Sequence, residues 1–492
     1  MKKKSLQTFA GLYVVIVVFT LVLSCNKSDD GIEENEQDLA GSVCNLQFIN
    51  GKASRDVTEG DIIAVYSTAS DTTRTFGYTI WNNREGSSLT NKKMSVNPGD
   101  LRVSNVIENR LLKEVKFSSN SEFLNEKDVL ADSTVIFWTW DLSDLSVFPD
   151  IPSVQFTAIL KASGQYCDVY VDENSTLITS KIAEEIASQF DQVGYPVVTR
   201  QFGDPPTVNG SSRLTILLPL AFNGGIEQEP NPNGFSFGAF NDKDQFPPSE
   251  GNPYSNYRNV LYLNIGAVNT CNPDYGNRWC SILSHEFQHM INFSYHGISE
   301  AVAIDEGKAL LSEILSGYGL TGGDMMMWVN VDLYQQHPES VSLLQDEYAP
   351  NNPMGTYGMG LLWVCYLYDR FGEDMLYQVA TCPLPGLEGA EAVIGVSKEQ
   401  LFTDWVQANI LSGIESDPVY NYFTIDVEGD GDGQYYQSLE GFAARSDQII
   451  PETETQRYVH SYGVEYLAVD APGVVNISGE NINALIIKKD NK

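Results

Sequence analysis

Residues 281–293 read Ser-Ile-Leu-Ser-His-Glu-Phe-Gln-His-Met-Ile-Asn-Phe, a stretch that predicts a helix. His285 and His289 are four positions apart in it, and on a helix this spacing places two side chains on one face, one turn apart. Two imidazoles in this arrangement can bind one metal ion, and Glu286 can reach a water on that metal. The alternative is an ordinary amphipathic helix with two surface histidines. The chain has only 5 His in 492 residues, so such a pattern is rare by chance.

A second helix is predicted over residues 299–313, where Ala, Leu and Ile recur at helical spacing after a short turn. A catalytic zinc held by two histidines needs a third protein ligand and one open position for water. Glu306 lies early in this helix, and a helical hairpin would bring it over the histidine pair. Glu313, seven positions later, is better placed to hold the free N–H of a histidine ligand. For both glutamates the alternative is a solvated surface side chain.

The order His285-Glu286-x-x-His289, Glu306, Glu313 resembles the gluzincin zinc metallopeptidases, and residues 284–293 look most like the hyicolysin-type neutral metallopeptidases. This resemblance, which covers residues 167 to about 413, implies that His285, His289 and Glu306 bind Zn²⁺. It implies that Glu286 is the general base in peptide-bond hydrolysis, and that a protein or peptide is the substrate. The chain departs from the usual pattern twice. Asp305 stands where Asn is usual, and sixteen residues, 290–305, separate His289 from Glu306, fewer than in many gluzincins.

A further catalytic residue is suggested by the predicted helix over residues 355–368. Gluzincins similarly have a tyrosine at the start of a late helix, where it serves the oxyanion of the tetrahedral intermediate. The resemblance implies Tyr357 in that role. The aminopeptidases of this group also resemble one another in a G-x-M-E-N strand that binds the substrate's free amine. The matching stretch here, Gly234–Phe240, has no carboxylate, which favours an endopeptidase.

The N-terminus predicts export. Three lysines, Lys2 to Lys4, precede an apolar run that ends at Leu23, as in a signal peptide. Residues 22–25 resemble a bacterial lipobox, so Cys25 is predicted to carry acyl chains that anchor the protein to a membrane. An uncleaved N-terminal anchor helix is the alternative. The acidic stretch that follows resembles the tether of surface-exposed outer membrane lipoproteins, with the periplasmic face as the other possibility.

Charge and cysteine content agree with an exported protein. The net charge is −35, from 30 basic and 65 acidic residues, which disfavours nucleic acid and anionic membrane surfaces as partners. Six cysteines remain after Cys25, and an even number in an oxidising compartment permits disulfides. Cys271 and Cys280 flank the approach to the His285 helix across a Pro and a Gly, and a disulfide between them is predicted. Cys365, in an apolar helix, is predicted to be a buried thiol.

The length and the changing pattern predict several domains. The expected fold is an N-terminal β-sandwich, a central α+β zincin-like (gluzincin) metallopeptidase domain and a short C-terminal β-rich domain. The predicted divisions are a signal peptide over 1–24, a lipidated acidic tether over 25–41, the sandwich over 42–160, the peptidase domain over 165–415 and the C-terminal region over 420–492.

One acidic cluster stands apart from the predicted zinc site. Residues 426–433 are dense in Asp, Glu and Gly, a composition that suits Ca²⁺. Position twelve of an EF-hand frame is Gln437 rather than Glu, and an acidic turn between domains is the alternative. The sequence as a whole predicts a lipid-anchored zinc peptidase. A surface binding or adhesion lipoprotein with an inactive zinc site is the alternative function.

Overall fold

The structure is a computed structural model that describes residues 43–70, 75–84, 134–143, 151–228, 238–270, 278–318, 327–412, 417–425 and 448–488. Its β-strands are β1 (Val43–Asn45), β2 (Lys52–Val57), β3 (Ile62–Tyr66), β4 (Thr75–Arg84), β5 (Thr134–Trp140), β6 (Ser153–Ser163), β7 (Cys167–Asp172), β8 (Leu214–Leu218), β9 (Gly238–Phe240), β10 (Asn259–Leu263), β11 (Thr455–His460), β12 (Val464–Ala468), β13 (Gly473–Gly479) and β14 (Asn483–Ile487). Its α-helices are α1 (Ser180–Gln189), α2 (Tyr195–Phe202), α3 (Ile265–Thr270), α4 (Arg278–His296), α5 (Val302–Glu313), α6 (Met327–Gln336), α7 (Pro353–Phe371), α8 (Glu373–Ala380), α9 (Gly386–Ile394) and α10 (Lys398–Leu411).

A six-stranded sheet in the order β5-β6-β7-β8-β10-β9 supports the central part of the chain. The pairs β7–β8 and β8–β10 are parallel, and every residue of β8 and β10 is buried, as expected for apolar strands covered on both faces. The last strand, β9, pairs antiparallel with β10 and forms one edge of the sheet. One face of the sheet and the helices that follow share the largest apolar core of the molecule.

Helix starts follow local capping rules. The side chain of Thr179 accepts a hydrogen bond from Ile182 N at the start of α1. Asn352 does the same with Gly355 N at the start of α7, where Pro353 occupies the first turn. Both caps satisfy backbone donors that a helix leaves without a partner, and proline fits where no donor is needed. Helix α1 continues directly into the π-helical turn Phe190–Gly194.

Strands from both ends of the chain build a β-sandwich together. One sheet has the order β1-β14-β3-β12 and the other has the order β11-β4-β13-β2. Alternate residues of β3 divide between two cores: Ile63 and Val65 belong to the core between the two sheets, whereas Ala64 and Tyr66 join the large helical core. The ring of Tyr66 lies 5.9 Å from that of Phe402 in α10. The first of these sheets is therefore covered on both faces.

The mixed α and β composition was predicted, but the strand pairing differs from the predicted layout. The expected N-terminal sandwich over 42–160 and C-terminal region over 420–492 pair with each other in both four-stranded sheets. Within the first range, β5 and the start of β6 belong to the central sheet instead. The physical reason is that alternation of apolar and polar residues predicts a strand but does not predict which other strand it pairs with.

The predicted disulfide is corrected. Cys280 is a free, fully buried thiol on α4, and Cys271 lies outside the described residues. Burial raises the pKa of Cys280 to about 11, against the lowering effect of a hydrogen bond with Tyr318. The side chain points into the core, a direction that closeness in sequence does not reveal. Cys365, predicted to be a buried thiol, is one.

Several predictions concern residues that the structure does not describe: the signal peptide, the lipidated Cys25, the acidic tether and the calcium candidate at 426–433. Among the helices that are described, none is long and apolar enough to cross a membrane.

Candidate metal centre

The α4–α5 hairpin places the predicted metal ligands. The two helices are joined by a short 3₁₀ turn, Gly297–Ser299, and a buried polar group holds that junction. Lys308 Nζ lies 2.6 Å from Glu300 Oε2 and donates a 2.9 Å hydrogen bond to Asn292 Oδ1. Because this lysine and this glutamate are both nearly inaccessible to solvent, their charges must be paired there. The hairpin is thereby fixed close to the metal ligands.

Three ligand atoms converge between the two helices. The Nε2 atoms of His285 and His289 are 3.1 Å apart. Glu306 Oε2 lies 3.4 Å from each of them. Among the described residues, this set is the one group of three or more His, Cys, Asp or Glu whose ligand atoms meet closely enough to hold a metal ion.

This triangle fits a zinc ion. Zinc bonds to His N and carboxylate O are about 2.0–2.1 Å long, so ligand atoms at the corners of a tetrahedron are about 3.3 Å apart. The observed separations of 3.1 and 3.4 Å match that value. Glu306 Oε2 is also buried with no hydrogen-bond partner in the described structure, an arrangement that a bound cation would satisfy.

The other ring nitrogen of each histidine has an acidic partner. His285 Nδ1 lies 2.9 Å from Glu313 Oε1, and His289 Nδ1 lies 3.0 Å from Asp305 Oδ2. Glu313 also accepts a hydrogen bond from Ser281 Oγ. These contacts leave the Nε2 atoms to face the metal position and fix the orientation of both rings.

The partner of His289 is itself positioned by α4. Asn292 Nδ2 donates a 2.7 Å hydrogen bond to Asp305 Oδ1. The carbonyl oxygen of the same amide accepts from Lys308, so the amide connects the junction of the hairpin with the metal centre. Sequence analysis noted Asp305 only as a departure from the usual Asn, and it missed Asn292. The one signal for Asn292 in the sequence was that a polar residue lies three positions after His289.

Carboxylates control the electrostatics of the centre. Burial lowers the pKa of His285, but the nearby carboxylates of Glu306 and Glu313 outweigh burial and raise it to about 10. His289 behaves in the same way, with Asp305 and Glu306 raising its pKa well above the usual range. Burial raises the pKa of Glu306, but the two histidines outweigh burial and hold this pKa well below its usual value. The pocket thus favours positive charge, as a dication requires.

Glu286 faces the edge of the central sheet. Burial raises the pKa of its carboxylate, against the lowering effect of the backbone N–H of Phe240 in β9. The contact between α4 and β9 is close: a Cβ on Gly238 would lie 2.5 Å from Ile282 Cγ2 and 3.0 Å from Glu286 Cγ. The edge strand therefore runs directly beside the predicted general base.

Two tyrosines adjoin the third ligand. Tyr348, which sequence analysis missed, donates a hydrogen bond to Glu306 Oε1. Tyr357, the predicted oxyanion donor, lies on α7, and its hydroxyl is 3.2 Å from that of Tyr348. The hydroxyl of Tyr357 thus lies beside Tyr348, which contacts Glu306, and its role at the oxyanion stays a prediction. No periodic pattern marks Tyr348, because it lies before the start of α7.

Comparison with known proteins gives one sequence match. No family model matches the chain. The neutral metalloprotease ShpI of Staphylococcus hyicus is 29% identical over 167 residues, which cover 32% of this chain and 35% of that protein. The match therefore spans about a third of the relative's length.

Solved structures give distant similarities. An M1 zinc metallopeptidase from Deinococcus radiodurans superposes with a TM-score of 0.30 at 12% identity, over 56% of this chain and 61% of that one. Yeast LTA4 hydrolase gives a TM-score of 0.32 at 12% identity, over 56% of this chain and 44% of the other. We draw no inference from superpositions this weak. The sequence match by itself confirms that this chain resembles a neutral metalloprotease.

Proposed function

We propose that this chain is a zinc-dependent peptidase. The observation that carries the proposal is the triangle formed by the Nε2 atoms of His285 and His289 and Oε2 of Glu306. The relative ShpI is a metalloprotease by name, and its similarity to this chain supports the same reaction class. These residues would hold a zinc ion, which would lower the pKa of a bound water and polarise the substrate carbonyl.

The residues of the chain divide the remaining work. Glu286 accepts the proton of the attacking water, because its carboxylate lies beside His285, His289 and Glu306. Glu313 and Asp305 keep the imidazoles oriented through their Nδ1 atoms. Tyr357 remains a proposed donor to the oxyanion, and in this structure its hydroxyl is engaged with Tyr348.

Strand β9 suits the binding of an extended peptide. This strand forms one edge of the sheet, and its residue Phe240 lies beside Glu286. A peptide paired with this edge would therefore pass the general base. The stretch Gly234–Phe240 contains no carboxylate to bind a free amine. We therefore propose an endopeptidase, with cleavage inside unfolded chains and little activity on single-residue aminoacyl amides.

Metal content and casein hydrolysis test the proposal. The purified protein is expected to contain one zinc per chain and to cleave casein, and a chelator should abolish the cleavage. Rapid release of N-terminal amino acids, blocked by N-acetylation, would contradict the endopeptidase assignment. Bound zinc without any cleavage would favour the alternative, a binding or adhesion lipoprotein with an inactive site.

The lipid anchor is a separate proposal, supported by residues 22–25 of the sequence. Labelled fatty acid should attach to the native protein and not to Cys25→Ala. Proteolysis of intact cells then tests surface exposure, since complete protection would indicate the periplasmic face.

A further inference from the structure

The two oxygens of Glu306 have different surroundings. Oε2 faces the two histidine nitrogens at 3.4 Å, whereas Oε1 accepts a hydrogen bond from the hydroxyl of Tyr348. A carboxylate held in this way offers one oxygen to a metal and cannot turn without losing the other contact. Glu306 itself is buried, so water does not readily replace the phenol.

The hydrogen-bond directions follow from counting protons. A phenol has one O–H, and a carboxylate only accepts, so Tyr348 must donate to Glu306. The oxygen of Tyr348 therefore accepts from Tyr357, 3.2 Å away. The two rings stack with their centroids 5.4 Å apart and an interplanar angle of 16°. Donation thus runs from Tyr357 to Tyr348 to Glu306.

We propose that Tyr348 is a positioning residue that presents Glu306 to the metal through one oxygen and holds the hydroxyl of Tyr357 beside the centre. This inference rests on the proposed zinc site, and it gives Tyr348 a role that sequence analysis did not foresee. Tyr348 is 42% exposed, so the loss of its hydroxyl group need not disturb the core.

The test removes the hydroxyl oxygen of one tyrosine at a time and retains the stacked rings of Tyr348 and Tyr357. Tyr348→Phe and Tyr357→Phe are compared with the wild type and with Tyr377→Phe, a matched control on α8 whose side chain is 38% exposed. Zinc affinity is measured by competition with a chromogenic chelator, and the visible spectrum is recorded after Co²⁺ substitution. Neither readout requires turnover. Kinetic constants on casein peptides are measured in parallel.

Tyr348→Phe is expected to weaken zinc binding by about 10–100-fold, the usual effect of losing a partner of a metal ligand. Its Co²⁺ spectrum should also shift. Tyr357→Phe should weaken zinc binding less, and Tyr377→Phe should match the wild type. If the wild type is active and zinc-loaded but Tyr348→Phe keeps the wild-type zinc affinity and Co²⁺ spectrum, the inference is overturned and the proposed function stands. A wild type that binds no zinc would overturn both the inference and the proposed function.

Discussion

His285 and His289 on α4 each have a partner at both ring nitrogens. The Nε2 atoms face Glu306, and the Nδ1 atoms face Glu313 and Asp305. A carboxylate on the far side of an imidazole fixes its tautomer and increases its basicity as a ligand. In the proposed zinc site the roles of the three carboxylates therefore differ: Glu306 would bind the metal, whereas Glu313 and Asp305 orient the two histidines.

This difference predicts unequal effects on zinc affinity. Glu306→Ala removes one of the three proposed ligands. Because only two histidines are left to hold the zinc ion, tight zinc binding should nearly be abolished. Glu313→Ala removes only the partner of His285 and should cost about 10–100-fold. Isothermal titration of the metal-free variants measures both. A larger loss in Glu313→Ala would show that the ligand assignment is wrong.

At the scale of elements, α5 and α7 meet backbone to backbone. A Cβ on Gly307 would lie 2.3 Å from the carbonyl of Gly360, and a Cβ on Gly360 would lie 1.6 Å from Ala303 O. Only glycine permits this approach. Gly307 directly follows Glu306, so the contact that brings Tyr357 and its helix near the centre also sets the position of the third ligand.

Gly360→Ala should therefore separate the two helices and displace Glu306. We expect a loss of about 1–3 kcal/mol or more in the free energy of unfolding, the usual cost of overpacking a core. Zinc affinity should fall as well. Urea unfolding with a zinc titration measures both effects. Gly251→Ala is the matched control, because nothing lies within 4 Å of its added Cβ. Equal stability of the two variants would refute this account of the helix contact.

The junction of α4 and α5 should respond to acid. Burial raises the pKa of Glu300, but Lys308 and His296 outweigh burial and lower it to about 2. The unfolded state therefore takes up this proton first as the pH falls, so the stabilisation present above about pH 4.5 is lost towards pH 2. The free energy of unfolding should fall more steeply between pH 5 and pH 3 in the wild type than in Glu300→Gln. Parallel pH profiles would contradict this.

On the scale of the whole molecule, the two ends of the chain depend on each other. Strand β3 lies between β14 and β12, and β4 lies between β11 and β13. Strands near the N-terminus thus have their neighbours more than 350 residues away in sequence, as the pairing of Tyr66 with Asn483 shows. Unpaired inner strands would expose backbone donors and acceptors.

Removal of residues 453–492 deletes β11 to β14 and should destabilise the N-terminal strands. We expect residues 43–84 to become sensitive to protease in the truncated protein. A chain that ends at residue 488 keeps all four strands and serves as the control. Protease resistance of residues 43–84 after the longer deletion would show that the N-terminal strands fold without the C-terminal ones.

The sequence predicts local structure better than pairing. Helical spacing identified α4 and α5, and the late helix predicted over residues 355–368 is part of α7. The ligand pattern was visible because chemistry restricts it to His and Glu at fixed spacing. Tyr348, Asn292 and the shared sandwich were not predictable, because each depends on a contact between segments that no local period reports.

The most direct test of the zinc-peptidase proposal is casein hydrolysis by Glu286→Gln at equal zinc loading. The amide keeps the size of Glu286 and leaves His285, His289 and Glu306 in place, but it cannot accept the proton. The proposal predicts wild-type zinc stoichiometry with a loss in rate of at least ~10². Wild-type activity in zinc-loaded Glu286→Gln would contradict it.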